Sequence, residues 1–280
     1  MDPGTDRSSY GQLSPMEKPD IQTSELDGIR QEIDSIDEQI VELLCARFAA
    51  SEKVRLAKTP SLLTGGMPYR PGREAVILRR LVEVAAGRVP LAVIERVWRT
   101  VISASVLAQA DVRIVTIAEV MNDARYRQAT DLFASLVPVE KAGSLKAALA
   151  ALAEGEQVLV VVPMKLDWRG ALQQMPDGKP ARVVAVLAAG SDKPGRSLAV
   201  LGHAPSEPTG EDETLLVTTG KLPRDFVPKP IWHLKVADDV YLTSIPGYLE
   251  MSEQPLVSLK GNSGLGLKIA GRYPSAMELS

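Results

Sequence analysis

The chain has 280 residues, a net charge of −3 and a hydrophobic content of 45%. This length suits two or three modest domains with buried cores, and the near-balanced charge excludes a general attraction to nucleic acid or acidic membrane. Cys45 is the single cysteine, so there is no intrachain disulfide framework. The two histidines, His203 and His233, form no Cys/His cluster at zinc spacing, and no metal or cofactor is expected. No G-x-S-x-G nucleophile motif occurs, and apolar runs such as VLVVVP (158–163) fall far short of the ~20 residues of a spanning helix.

The opening residues lack the apolar stretch of a signal peptide, so a cytoplasmic protein with a disordered tail over 1–23 is expected. From Ser24 to about Lys58 a long helix is predicted, with Ser24 and Asp27 as a variant capping box and no Pro or Gly from Ile29 onward. Apolar or small residues recur at 26, 29, 33, 36, 40, 43, 50, 54 and 57, and the one skipped step, 47, holds arginine. A helix of ~35 residues is ~50 Å long, too long for one small globule, and so packs along a partner. After a Gly/Pro-containing loop, a second helix is predicted from Pro71 to Ala86 and a third from Leu91 to Ala110, separated by a turn at Gly87 and Pro90.

The texture changes at Asp111. VRIVTIA, QVLVVVPM and ARVVAVLAAG read as strands, and RYRQATDLFASL and SLKAALAALAEG as helices, which is the alternation of an α/β domain. Loops containing GSDKPGRS and GHAPSEPTGEDE lead to four short strand-like runs, TLLVTTG, IWHLKVA, VYLTSIPGYLE and GLGLKIAGRY.

Arg47 and Lys58 are eleven residues apart, ~1100° of helix and so within ~20° of one face, ~16 Å apart along the axis. Two long cationic side chains so placed can hold a small dianion between them. Arg30 lies seventeen residues before Arg47, ~26 Å away and rotated by ~100°, so within a straight helix it cannot serve the same small ligand and, if it binds ligand, does so at a second site; an antiparallel pair of long helices would bring it to Arg47 of the other chain. In the third helix, Ser105 and Gln109 are spaced i, i+4 on one face. With Arg73 and Glu74 at the start of the second helix, the polar set is Arg30, Arg47, Lys58, Arg73, Glu74, Ser105 and Gln109. It contains cations for carboxylates, one acid and two neutral hydrogen-bonding groups. That composition is poor for nucleophilic or metal chemistry and suits a reaction needing positioning and charge stabilisation.

Through LDGIRQEIDSIDEQIVELLCARFAASEKVRLAK, PGREAVILRRL and WRTVISASVLAQ, residues 24–110 resemble the all-helical chorismate mutases of bacteria. The resemblance implies an intertwined antiparallel homodimer with two sites shared between chains. It also implies conversion of chorismate to prephenate, for phenylalanine and tyrosine biosynthesis, by an intramolecular rearrangement. Carried over, Arg47 and the second chain's Arg30 grip the substrate carboxylates, Lys58 and Gln109 hydrogen-bond the ether oxygen, Glu74 binds the ring hydroxyl, and Arg73 and Ser105 complete the pocket. One departure is Arg70, where some members carry an acid; it is read as a solvated loop charge. A helical cousin, the isochorismate pyruvate lyase, shares the scaffold.

The rest of the chain is similar to a prephenate dehydratase followed by an ACT-type regulatory domain, with LKIAGRYP near a dehydratase ending. The Thr-Arg-Phe catalytic motif has only GEDETLLVTTG as a counterpart, with no arginine after a threonine. The expected architecture is thus an α+β multidomain chain: a three-helix all-α domain over 24–110, then a smaller α/β region, with a degenerate dehydratase-like domain over 111–205 and an ACT-like region over 206–280. A bifunctional mutase–dehydratase and a non-catalytic helical dimer remain the alternative functions, and an aromatic amino acid is a possible regulator.

Overall fold

The computed structural model describes residues 23–57, 67–172, 181–187, 194–260 and 264–277. Of the expected tail over 1–23, residues 1–22 lie outside the described residues, as does the candidate Lys58, whereas Thr23 already belongs to a helix. The chain divides into two units between Val54 and Arg55.

Among the described residues, the first unit consists of helix α1, Thr23–Ala57, which runs into the first residues of the second. It begins one residue ahead of Ser24, so the capping box expected there does not sit at the helix boundary. Its apolar stripe is exposed: Ile29, Ile33, Ile36, Ile40 and Leu43 retain 43%, 52%, 47%, 49% and 69% of their accessible surface. A single helix has nothing of its own against which to bury such a stripe, and a patch of this kind marks an association surface.

The second unit opens with a helical hairpin. Helix α2, Pro71–Ala85, starts with proline in its first turn and stops where Ala86 and Gly87 take positive φ, 47° and 75°. Arg88 donates from Nε and Nη2 to the carbonyls of Ala85 and Val84, covering acceptors that the helix end leaves open. Helix α3, Leu91–Leu107, follows directly. It is three residues shorter than predicted.

The hairpin leads into a mixed sheet, nine-stranded among the described residues, of order β2-β1-β3-β5-β4-β9-β6-β8-β7. Strand β1, Arg113–Ile117, is flanked by parallel β2 (Val139–Ala142) and β3 (Val158–Pro163). Strands β4 (Arg182–Leu187) and β5 (Leu198–Gly202) join antiparallel, β5 pairing with β3. The remaining strands, β6 (Asp212–Thr219), β7 (Trp232–Ala237), β8 (Val240–Pro246) and β9 (Lys268–Pro274), form an antiparallel group in the order β9-β6-β8-β7. Helices α4 (Ala118–Met121), α5 (Tyr126–Asp131), α6 (Leu145–Ala150) and α7 (Leu256–Lys260) are short. Ser144 caps α6 by accepting the N–H of Ala147 at 3.1 Å.

The run VLVVVP is buried at every position, as a central strand covered on both faces must be, whereas edge strand β7 alternates half-buried and exposed residues. Two strands escape the sequence reading. Strand β5 lies between loop-like segments and β2 is only four residues long; pairing with their neighbours, not local pattern, defines both. The helix expected over RYRQATDLFASL ends at Asp131 because Leu132 and Phe133 turn into the core, and Ala134 and Ser135 take φ of 50° and 60° as the chain reverses.

The two strand groups meet through one parallel pair, Val183 of β4 with Gly271 of β9. A Cβ at Gly271 would overlap the Val183 carbonyl, so glycine is required by close backbone approach. Gly271→Ala is therefore expected to destabilise the fold by about 3 kcal/mol or more, as overpacking against backbone does. Urea unfolding measures it, and an unchanged midpoint would contradict this junction.

Candidate active site

The sequence-predicted residues in the first unit lie along α1. Arg30 is exposed and its Nη1 bonds Asp27 Oδ1 at 3.1 Å. Arg47 is half-buried, and that burial lowers its guanidinium pKa. The Ser51 hydroxyl donates to the Arg47 carbonyl at 3.1 Å, a bond within the helix.

In the second unit, α2 presents Arg73 and Glu74 in its first turn with opposite fates. Arg73 is exposed, while Glu74 keeps 7% of its surface. Glu74 Oε1 accepts a bond from Arg99 Nη1 at 2.7 Å, and Arg99 Nη2 donates to Glu95 Oε1 at 2.9 Å. Two carboxylates thus surround one guanidinium. Burial pushes the Glu74 carboxyl above the usual carboxylate range; Arg99 opposes the rise and Glu95 adds to it. Arg99 is itself raised: burial alone would lower it, but the charges of Glu74 and Glu95 outweigh that. Tyr69, almost fully buried against Phe133 at a ring separation of 5.0 Å, has its hydroxyl pKa driven up by burial and then by the Glu74 charge.

This cluster lines a cleft of about 350 Å³ whose other walls include Leu78 of α2, Leu132, Val186 of β4 and Pro274 to Met277 at and beyond the end of β9. The chemistry available there is hydrogen bonding by the Glu74 carboxyl beside apolar walls. Arg73, Ser105 and Gln109 are not among the lining residues.

Ser105 and Gln109 come together at the end of α3. The helix ends at Leu107, so Gln109 sits in the following turn, and its Nε2 donates back to the Ser105 carbonyl at 2.8 Å. The buried Ser105 hydroxyl donates to the Val101 carbonyl at 2.9 Å. Arg70, read as a solvated loop charge, is exposed but pairs with Glu207 across the β5–β6 link.

Sequence reasoning missed Arg99 and Tyr69. The Glu95/Arg99 i, i+4 spacing was legible as a helical ion pair. That Arg99 also meets Glu74 follows only once Gly87 and Pro90 are taken to close an antiparallel hairpin, which sets residues on either side of the turn opposite one another.

Comparison with known proteins adds to this geometry. Residues 29–110 match the family model for chorismate mutase type II. A bifunctional chorismate mutase/prephenate dehydratase of Pseudomonas aeruginosa is 26% identical over 157 residues, 55% of this chain and 42% of that protein. A protein of the same description from Stutzerimonas stutzeri is 28% identical over 95 residues, 33% of this chain and 26% of its own length. The chain spans less than half the length of these curated relatives. Two solved structures each overlay 58% of this chain at 12% identity: a quorum quenching acylase, GqqA, with a TM-score of 0.37 and 95% of its chain covered, and a prephenate dehydratase from Streptococcus mutans, with a TM-score of 0.36 and 98% covered. No described helix is long and apolar enough to cross a membrane. Over residues 29–110, then, this chain is similar to the chorismate mutase type II family.

Proposed function

We propose that the chain is a chorismate mutase, converting chorismate to prephenate for aromatic amino acid biosynthesis as a cytoplasmic homodimer with sites shared between chains. The observation that carries this reading is the family match over 29–110, a stretch that includes all seven candidate polar positions. The exposed stripe of α1 supports the dimer.

The reaction breaks a C–O bond and forms a C–C bond within one molecule, so the protein need supply no nucleophile. Its work is to hold the flexible substrate in a compact, reactive shape and to meet the charge that grows on the ether oxygen. Arg47, and Arg30 from the second chain, take the two carboxylates through planar forked donors. Lys58 and Gln109 donate to the ether oxygen, where charge is larger in the transition state than in the substrate, so their bonds lower the barrier rather than only tightening binding. For this Gln109 Nε2 exchanges its bond to the Ser105 carbonyl for one to the substrate. Glu74 keeps Oε1 on Arg99 and offers its second oxygen to the ring hydroxyl. Arg73 and Ser105 complete the pocket, and residues 111–205 and 206–280 form dehydratase-like and ACT-like regions.

The purified chain is expected to consume chorismate and release prephenate, identified by chromatography; pyruvate with salicylate or a related benzoate would instead indicate lyase chemistry. A second reading, a mutase–dehydratase, is favoured by the Pseudomonas likeness, which is longer than the helical segment. In the segment nearest a dehydratase motif, however, the buried Thr214 and Thr218 hydroxyls donate to the carbonyls of Gly247 and Gly220. Both are committed to the fold, and no phenylpyruvate is expected from prephenate at neutral pH.

A further inference from the structure

Helix α2, which carries Arg73 and Glu74, is held by the sheet region along a different face. Gly72 and Arg79 are seven residues apart, nearly two turns, so they share one side of the helix about 10 Å apart. Both meet the link between β5 and β6. A Cβ at Gly72 would lie 3.1 Å from the Glu207 carbonyl oxygen and 3.1 Å from Thr209 Cγ2, so the helix backbone rests on this link with little room for a side chain. Arg79 Nη1 donates to Thr209 Oγ1 at 2.9 Å, and Nη2 donates to the carbonyls of Glu211 and Ser275 at 2.9 and 3.1 Å. Its Nε stands 3.2 Å from Glu211 Oε2. Arg70, just before the helix, pairs with Glu207. The gap left at this seam is only about 10 Å³.

The receiving turn is fixed in advance. The buried Asp212 carboxylate accepts the backbone N–H groups of Thr209 and Gly210 at 2.7 and 3.1 Å and the Thr209 hydroxyl at 2.8 Å. Gly210 supplies the left-handed residue that the turn needs, at φ 91°. With its proton directed to Asp212, the Thr209 hydroxyl presents a lone pair to Arg79. Asp212 opens β6, and Ser275 follows the end of the neighbouring β9, so the guanidinium joins α2 to two adjacent strands.

We propose that this contact is a positioning clamp: Arg79 sets the rotation of α2 about its axis, and thereby the directions of Arg73 and Glu74, so that the sheet region takes part in the mutase reaction without touching substrate. This rests on the mutase reading above. A side-chain end ~5.5 Å from a helix axis moves ~2 Å when the helix turns by ~20°. That exceeds the ~1 Å misplacement that can cost a catalytic site about a hundredfold. A tether serving stability alone would leave turnover by the folded enzyme unchanged.

The test is steady-state mutase kinetics and thermal melting of the full chain as wild type, Arg79→Ala, Arg79→Lys, Thr209→Val and the Arg79→Ala/Thr209→Val double variant, assayed well below each melting temperature. Thr209→Val removes the acceptor while leaving α2 unaltered. Arg79→Ala and Thr209→Val should each lower kcat about tenfold or more with KM within about threefold, and the double variant should be no slower than Arg79→Ala, because the contact that Thr209→Val removes is among those already lost in Arg79→Ala. If Arg79→Ala does not fold, Thr209→Val and Arg79→Lys decide the question by the same kcat criterion. A lower Tm with wild-type kcat in folded Thr209→Val overturns the clamp. Absence of turnover in the wild-type chain overturns the mutase reading and the clamp with it.

Discussion

Replacing Arg47 with alanine is expected to lower kcat/KM for chorismate by about a thousandfold, the consequence of losing ~4 kcal/mol of transition-state binding. The size follows from the arginine's setting. It occupies the apolar stripe of α1 at the one step where periodicity calls for a small or apolar residue, and it is half-buried with its guanidinium pKa lowered by that burial. A cation held partly out of water gains most from a carboxylate arriving in a bidentate pose, and removing it leaves a substrate carboxylate with no equivalent partner. Arg47→Lys keeps the charge but loses the fork, and should recover only part of the loss. Steady-state kinetics on the folded variants would decide; near-normal turnover by Arg47→Ala would sink the mutase assignment of this residue.

The second large effect concerns sharing between chains. On the proposed antiparallel dimer each site takes Arg30 from one chain and Arg47 from the other. Arg30→Ala and Arg47→Ala homodimers should then both be nearly inactive, while a mixture refolded together should recover activity. Half of the dimers formed at equal input are mixed, and in each of these one site carries both changes and the other neither. About a quarter of wild-type activity should return. No recovery on mixing, in a sample shown to be dimeric, would mean that the two arginines do not meet across chains. The exposed Ile33, Ile36 and Ile40 supply an independent check, because Ile36→Asp should shift the chain toward monomer in sedimentation experiments by placing a charge in the middle of that stripe.

Much of the helical segment was legible because its signals are local. The period of α1, the proline opening α2, and Gly87 with Pro90 between α2 and α3 each act within a few residues. The strands beyond were legible where they are long apolar runs, as in β3, and illegible where short, as in β2 and β5, whose existence depends on neighbours distant in the chain. Among the candidate site residues, the sequence named Glu74 as the one acid of the set but not the Arg99 guanidinium that holds it, since that pairing spans the hairpin. It also set Ser105 and Gln109 one turn apart, but not the bond that ties the Gln109 amide to the Ser105 carbonyl.

What the sequence by itself determined is the helical segment and its set of polar residues, because spacing along a regular helix converts directly into direction and distance. What only the tertiary structure decided is how α2 is held. The bonds from Arg79 to Thr209, Glu211 and Ser275, and the seat of Gly72 on Glu207 and Thr209, join residues more than a hundred positions apart. No local periodicity encodes such contacts; they exist because the strands bring the β5–β6 link and the end of β9 to one face of a single helix.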